Sequence, residues 1–212
     1  MHNYNFIYKK LYEHYGPQGW WPADTAFEMM IGSILVQNTN WRNAEKAVSR
    51  VKDYLKPEIM DYLPENELAE RIRPSGFFNI KAQRVKSFLE WFRRYDYDVR
   101  QVMQMDSNYL RQELLNIKGI GSETADVMLL YAFDKPIFVT DAYARRIFYR
   151  FGYDMPETYD GFRSEVEKHM SNELNVFQEY HALLVEHAKQ ICKKRPLCEV
   201  CPLNTVGEQR LN

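Results

Sequence analysis

Cysteine is scarce in this 212-residue sequence: there are three, all between 192 and 201. An odd, clustered set argues against a disulfide framework and for a metal site or the remnant of one. Long apolar runs are also missing. The stretches 29–36 and 127–133 are far shorter than the ~20 residues a membrane span needs, and the opening MHNYNFIYKK lacks the apolar stretch of a secretory signal. The expectation is a cytoplasmic protein with no membrane attachment. Charge of one sign is not in excess either. The formal net charge is −1 and the pI near 6.5, so any attraction to nucleic acid must come from a locally basic face. There is no internal repeat, no Gly/Ser-rich linker and no sustained apolar/polar alternation, which argues against both a solenoid and a β-rich fold.

Apolar residues instead recur at helical spacing through most of the chain. Gly and Pro punctuation, as at Gly16-Pro17, Lys56-Pro57, Arg73-Pro74-Ser75-Gly76 and Lys135-Pro136, cuts it into helix-length segments. The pattern predicts an all-α fold with helices near 3–15, 24–37, 41–54, 58–62, 65–72, 79–95, 98–104, 107–116, 122–133, 141–150, 158–172 and 175–190. With 45% hydrophobic residues the chain can bury one core or two small lobes, and its 15% aromatic content reads first as ring-rich core.

One segment carries more than helix propensity. In LLNIKGIGSETADVMLLYAF a helix ends at Asn116, Lys118-Gly119-Ile120-Gly121 forms a short loop, and Ser122 is expected to cap the next helix, with Glu123 in its first turn. Two glycines one residue apart permit positive φ and remove the Cβ atoms that would hold a ligand away. The new helix offers unpaired N–H groups and the positive end of its dipole. The segment 114–129 is therefore a candidate phosphate grip, although Gly-x-Gly alone also fits a plain αα-corner.

After the second helix, Pro136 and an apolar run lead to Asp141 at the start of an Arg-rich helix. Alone, Asp141 reads as an N-cap. The pairing of a Gly-x-Gly hairpin with a carboxylate at this distance resembles the helix-hairpin-helix DNA glycosylase superfamily, in its endonuclease III branch. The segments 31–39 and 73–82 resemble that family's early helix with its Gln-containing loop and its Gly-aromatic turn before Lys-Ala. The segment Gly19-Trp20-Trp21-Pro22 together with Trp41 resembles the narrower 3-methyladenine DNA glycosylase III type.

The resemblance implies a two-lobe all-α helix-hairpin-helix glycosylase fold. One lobe would span 24–133, the other 1–23 plus 134–212, with the active-site cleft between them. It implies Asp141 as the catalytic carboxylate. It further implies DNA contacts from Gln37, Asn38, Lys81, Lys118, Gly119, Ile120, Gly121, Ser122 and Arg145, helped by Arg84, and a base pocket walled by Trp20, Trp21 and Trp41. Gln37 and Asn38 would fill the gap left by a flipped nucleotide, or are ordinary loop-end amides. Trp20 and Trp21 fit a hydrophobic clamp as well as a pocket.

Two departures from the family pattern sharpen the expectation. Members that cleave the DNA backbone carry a lysine after the hairpin, where this chain has Glu123, and a carboxylate cannot form a Schiff base. The implied enzyme is monofunctional: water replaces the base, most simply an alkylated purine such as 3-methyladenine, and the strand is left intact. Glu123 either takes part at the lesion or serves only the helix dipole. The second departure is the cysteine loop. The family's four-cysteine iron–sulfur spacing is six, two and five; here five residues separate Cys192 from Cys198, Cys201 follows, and the fourth position falls on Gly207. A degenerate cluster, or a zinc site completed by His187, is chemically allowed. The favoured expectation is a loop without its cluster, and no cofactor is required for catalysis. The partner is duplex DNA containing damaged bases, bound by a monomer. The rivals are a bifunctional glycosylase/lyase, a non-catalytic DNA-binding module and an all-α scaffold.

Overall fold

The computed structural model describes residues 3–19, 23–204 and 210–211. Trp20, Trp21 and Gly207 lie outside these residues. The regular structure of the described residues is helical: α1 (Tyr4–Tyr15), α2 (Ala26–Leu35), α3 (Trp41–Arg50), α4 (Pro57–Tyr62), α5 (Glu65–Arg71), α6 (Phe78–Arg93), α7 (Val99–Met103), α8 (Ser107–Leu115), α9 (Ser122–Tyr131), α10 (Ala142–Arg150), α11 (Tyr159–Glu167) and α12 (Leu174–Gln190). The all-α expectation is met. Short polar residues begin many of these helices by accepting an amide hydrogen bond, among them Asn3, Thr25, Asn40, Asp98, Asp106 and Thr158. The helix expected over 41–54 stops at Arg50, because the amides of Tyr54 and Leu55 bond three residues back and tighten the end into a 3-10 turn.

Two compact units are present, Pro22–Lys135 and Met1–Trp21 with Pro136–Asn212. In the first, α2 is apolar on every side and is buried from Phe27 to Leu35 apart from Glu28; it packs against α3, α6 and α9. Phe27 stacks on Phe92 of α6 at 6.4 Å between ring centroids, and Phe88 lies 5.6 Å from Trp91. Each such ring, taken from water, contributes about 1.5–3 kcal/mol. The two hairpin helices are joined by a buried ion pair. Arg111 of α8 donates from Nε to Asp126 Oδ1 at 2.6 Å and from Nη2 to Oδ2 at 3.3 Å, and Asp126 is fully buried. This two-pronged contact fixes the angle at which α9 leaves the hairpin.

In the second unit the extended segment after Pro136 is anchored by Phe138. Its ring meets Tyr180 at 5.7 Å, Phe177 at 6.1 Å, Phe148 at 6.3 Å and Phe162 at 6.4 Å. The Phe138 amide donates to Glu167 Oε1 at 2.9 Å, and the Thr140 amide to the Tyr159 hydroxyl at 3.3 Å. The aromatic richness of the sequence is largely spent here and around α6.

Removing one partner of the Arg111–Asp126 pair leaves the other charge buried. Asp126→Ala is expected to cost ~3–5 kcal/mol, read as a fall in the urea midpoint, whereas an Arg111→Met/Asp126→Leu double variant should lose much less. Equal losses in the two would show that the pair does not set the stability of this unit.

Candidate active site

The hairpin is closed by its own backbone. The Ile117 amide bonds Leu114 O at 3.1 Å and the Ile120 amide bonds Ile117 O at 3.0 Å. Ile117 and Ile120 are buried, while Lys118, Gly119 and Gly121 are exposed. Three expectations change. Ile120 does not offer its amide to a phosphate, since that N–H is committed to the turn and its side chain anchors the loop from below. Ser122 begins α9 instead of capping it; the N-cap is Gly121, with no side-chain cap. Only Gly119 uses the left-handed region, at φ +90°, whereas Gly121 is extended at φ −95°, ψ 177°. The donors left for an anion lie around Gly121 and in the first turn of α9.

A network on α6 ties this hairpin to two other loops. Arg84 Nη1 donates to Gln37 Oε1, and Gln37 Nε2 donates to Gly119 O at 3.1 Å and to Thr124 Oγ1 at 2.9 Å. Arg84 also runs close over Gly119: a Cβ there would lie 2.7 Å from Arg84 Cδ and closer still to Cγ. Lys81, expected at a phosphate, is 1% exposed. Its Nζ instead donates to Leu35 O at 2.8 Å and Ser75 O at 2.6 Å. It therefore joins the end of α2 to the turn before α6, because both carbonyls would otherwise be left unpaired. Burial, with the Arg84 charge second, pushes its ammonium down to about 8.

These ties place the remaining residues of the unit. Gln37 is engaged with the hairpin, while Asn38 beside it is exposed in a left-handed conformation at φ 53°. Trp41 starts α3, and its Cη2 lies within van der Waals reach of a Cβ at Gly32, so the indole lies over α2. Phe77 was not singled out from the sequence. It is 65% exposed and left-handed at φ 48°, directly after the left-handed Gly76. A bulky aromatic in that conformation, turned to solvent, is strained. The signal was present in the Gly-Phe-Phe turn, but its exposure was not. Glu123 is exposed in the first turn of α9.

In the other unit Asp141 caps α10. Its Oδ1 accepts from the Ala144 amide at 2.7 Å, and Oδ2 lies 3.6 Å from Nε2 of His181 on α12. Both side chains are buried. His181 was also missed; the sequence signal is one imidazole on the otherwise apolar face made by Phe177, Tyr180 and Leu184. Arg145, expected on phosphate, donates to Glu157 O at 3.0 Å and lies over the Phe162 ring.

Cys192, Cys198 and Cys201 line one small cavity together with Arg150, Ile191 and Pro196. Their donor set does not fit a four-thiolate cluster: there is no fourth cysteine in the chain, and burial pushes the Cys201 thiol up, toward the protonated form. His187 faces Cys201 Sγ with Nε2 at 3.6 Å and the Tyr15 hydroxyl with Nδ1 at 3.0 Å, and burial lowers its imidazole to about 4. No group of three or more His, Cys, Asp or Glu able to hold a metal ion occurs among the described residues. The loop is held by α10. Arg146 donates to Cys192 O at 2.9 Å, and Arg150 to Lys193 O at 2.5 Å and Lys194 O at 3.1 Å.

The hairpin, the Gln37 loop and the capped carboxylate lie within residues 31–172, which match the family model described as HhH-GPD superfamily base excision DNA repair protein. The chain belongs to this superfamily. A protein of Methanocaldococcus jannaschii named as a DNA repair glycosylase is 43% identical over 93% of this chain and 92% of its own length. Endonuclease III of Sulfolobus acidocaldarius is 30% identical over 82% of this chain and 78% of its own. Among solved structures, the 3-methyladenine DNA glycosylase of H. pylori bound to 1,N6-ethenoadenine superposes with a TM-score of 0.76 at 28% identity, over 87% of this chain and 96% of that one. The enzyme class that follows is a DNA N-glycosylase of base excision repair.

Two variants separate the glycines. Gly119→Ala should lower the melting temperature, since it forces a side chain into left-handed backbone and into Arg84, a cost of ~1–2 kcal/mol or more. Gly121→Ala should melt as the parent does, its Cβ meeting nothing within 4 Å. Lys81 supplies a pH test. Its folded pKa is below its ordinary 10.5, so between about 8 and 10 the unfolded chain holds the extra proton and stability should rise with pH. A Lys81→Met variant, compared across that window in urea titrations, should lack the rise.

Proposed function

We propose that this glycosylase is monofunctional: it releases an alkylated purine such as 3-methyladenine by hydrolysis and leaves the DNA strand uncut. The observation that carries the reading is Glu123 in the first turn after the hairpin; the chain also holds a buried, capped carboxylate in Asp141. A carboxylate at 123 cannot add to the sugar as an amine would, so the nucleophile is water. Asp141 stabilises the positive charge that develops on the sugar as the N-glycosidic bond breaks, and orients the water. Duplex DNA with a damaged base is held through Lys118, the amides around Gly121 and the first turn of α9. Asn38 and Phe77, two exposed left-handed residues in the loops beside the hairpin, enter the stack as the nucleotide leaves it.

The aromatic residues support the choice of base. An alkylated purine carries positive charge and gains a cation–π term on indole that an undamaged base lacks. Trp41, at the start of α3 beside the Asn38 loop, supplies one such face. The 28% identity to the H. pylori enzyme supports the same class. The protein works without a cluster, a reading supported by the guanidinium contacts of Arg146 and Arg150, which hold the cysteine loop through its carbonyls.

The test is a panel of duplexes, each with one lesion, incubated with enzyme and developed with alkali. Base release from the alkylpurine duplex, with strand breaks only after alkali, is the expected outcome. Asp141→Asn should slow release ~100- to 1,000-fold or more while binding to abasic-analogue DNA persists. Borohydride trapping of a covalent adduct would instead establish a lyase, the reading that similarity to endonuclease III favours. Protein purified without air should be colourless, free of iron and active after chelator treatment; a coloured, iron-containing preparation would reverse the cluster reading.

A further inference from the structure

Asp141 is held on one oxygen only by the chain around it. Its Oδ1 is committed to the Ala144 amide, which leaves Oδ2 as the oxygen available to chemistry. A carboxylate fixed through one oxygen alone can still turn about that bond, so its second oxygen points where its neighbours direct it. Facing Oδ2 at 3.6 Å is Nε2 of His181, with the two side chains only 6% and 11% exposed.

The placement of that imidazole is over-determined. α12 packs on α10, and the residue before His181 is also fixed: the Tyr180 hydroxyl donates to Tyr4 O at 3.0 Å and its ring meets Phe138 at 5.7 Å. Phe138 lies three residues before Asp141 in the same extended segment. Successive residues of α12 thus grip that segment at its anchor and at its functional end.

We infer that His181 is the positioning residue of Asp141, its Nε2–H holding Oδ2 toward the sugar and the attacking water. The inference rests on the reading of Asp141 as the catalytic carboxylate. The tautomer follows from the chemistry: a carboxylate accepts, so the facing nitrogen donates. At 3.6 Å the contact is longer than a direct hydrogen bond, as contacts to catalytic groups often are before substrate binds, and it closes as charge develops on the sugar. His181 transfers no proton and touches no substrate; it limits where the carboxylate can point.

Three variants decide the matter. His181→Phe keeps a ring and removes the donor, His181→Gln keeps a donor of similar reach, and Asp141→Asn tests the underlying reading. Single-turnover base release should fall roughly ten- to a hundred-fold in His181→Phe, the scale of a displaced catalytic group, with affinity for abasic-analogue DNA and melting temperature retained. His181→Gln should recover most of the rate. Parental rates in His181→Phe, or equal losses in Phe and Gln variants that follow a lowered melting temperature, would overturn the inference. If His181→Phe does not fold, His181→Leu takes its place, and the imidazole resonances of His181 supply a second measurement: they should shift in Asp141→Asn, and an unchanged signal would count against the contact. Should Asp141→Asn itself release base at the parental rate, the reading of Asp141 fails, whatever the His181 variants do.

Discussion

A buried ammonium organises the unit that carries the hairpin. Lys81 reaches inward from α6 and ends on two carbonyls from different loops, one at the C-terminus of α2 and one in the turn before α6. An ion in that position loses its water, which is why its pKa falls, and it is retained because both carbonyls need a donor and the helix end carries negative charge. One turn further along α6, Arg84 extends the arrangement through Gln37 to Gly119 and Thr124. The loops at 36–39, 75–77 and 118–121 are thereby referred to a single helix. Without those two cations, α6 would no longer hold them in common.

The two carboxylates singled out in the sequence illustrate how environment separates roles. Glu123 is exposed at a helix N-terminus, where the dipole stabilises its charge. Asp141 occupies a similar helical position but is buried, with one oxygen fixed by an amide and the other facing an imidazole. Arginines on the helix that Asp141 caps serve the opposite end of the task. Of these only Arg145 was expected at phosphate, and it donates to Glu157 O, while Arg146 and Arg150 are aimed at backbone carbonyls of the cysteine loop. Charge in the sequence does not tell whether it will meet solvent, nucleic acid or the protein's own backbone.

Much of the architecture was legible because helical periodicity and Gly/Pro punctuation are local properties, and the helices lie close to the positions that spacing assigns. The hairpin and the cap at Asp141 were legible for the same reason. What escaped was set by partners distant in the chain. Lys81 reads as a surface cation until α2 and the 73–75 turn close over it. His181 reads as one polar residue on a buried helix until α12 meets α10. Phe77 follows a glycine in a motif noted for other reasons, and only the backbone reveals that its ring is exposed. The assignment of Ser122 as a cap failed by one residue, since the extended conformation of Gly121 supplies the cap without a side chain.

The hydrogen bonds from Arg84 and Gln37 to the hairpin also bear on how damage is found. Loops already locked to one another have surrendered their conformational entropy during folding, so contact with a duplex does not require them to order. Most encounters are with intact DNA, and a surface that binds without rearranging can let go without rearranging. The cost of extracting a base then falls on the DNA, where an undamaged base gives up more stacking than a weakened one.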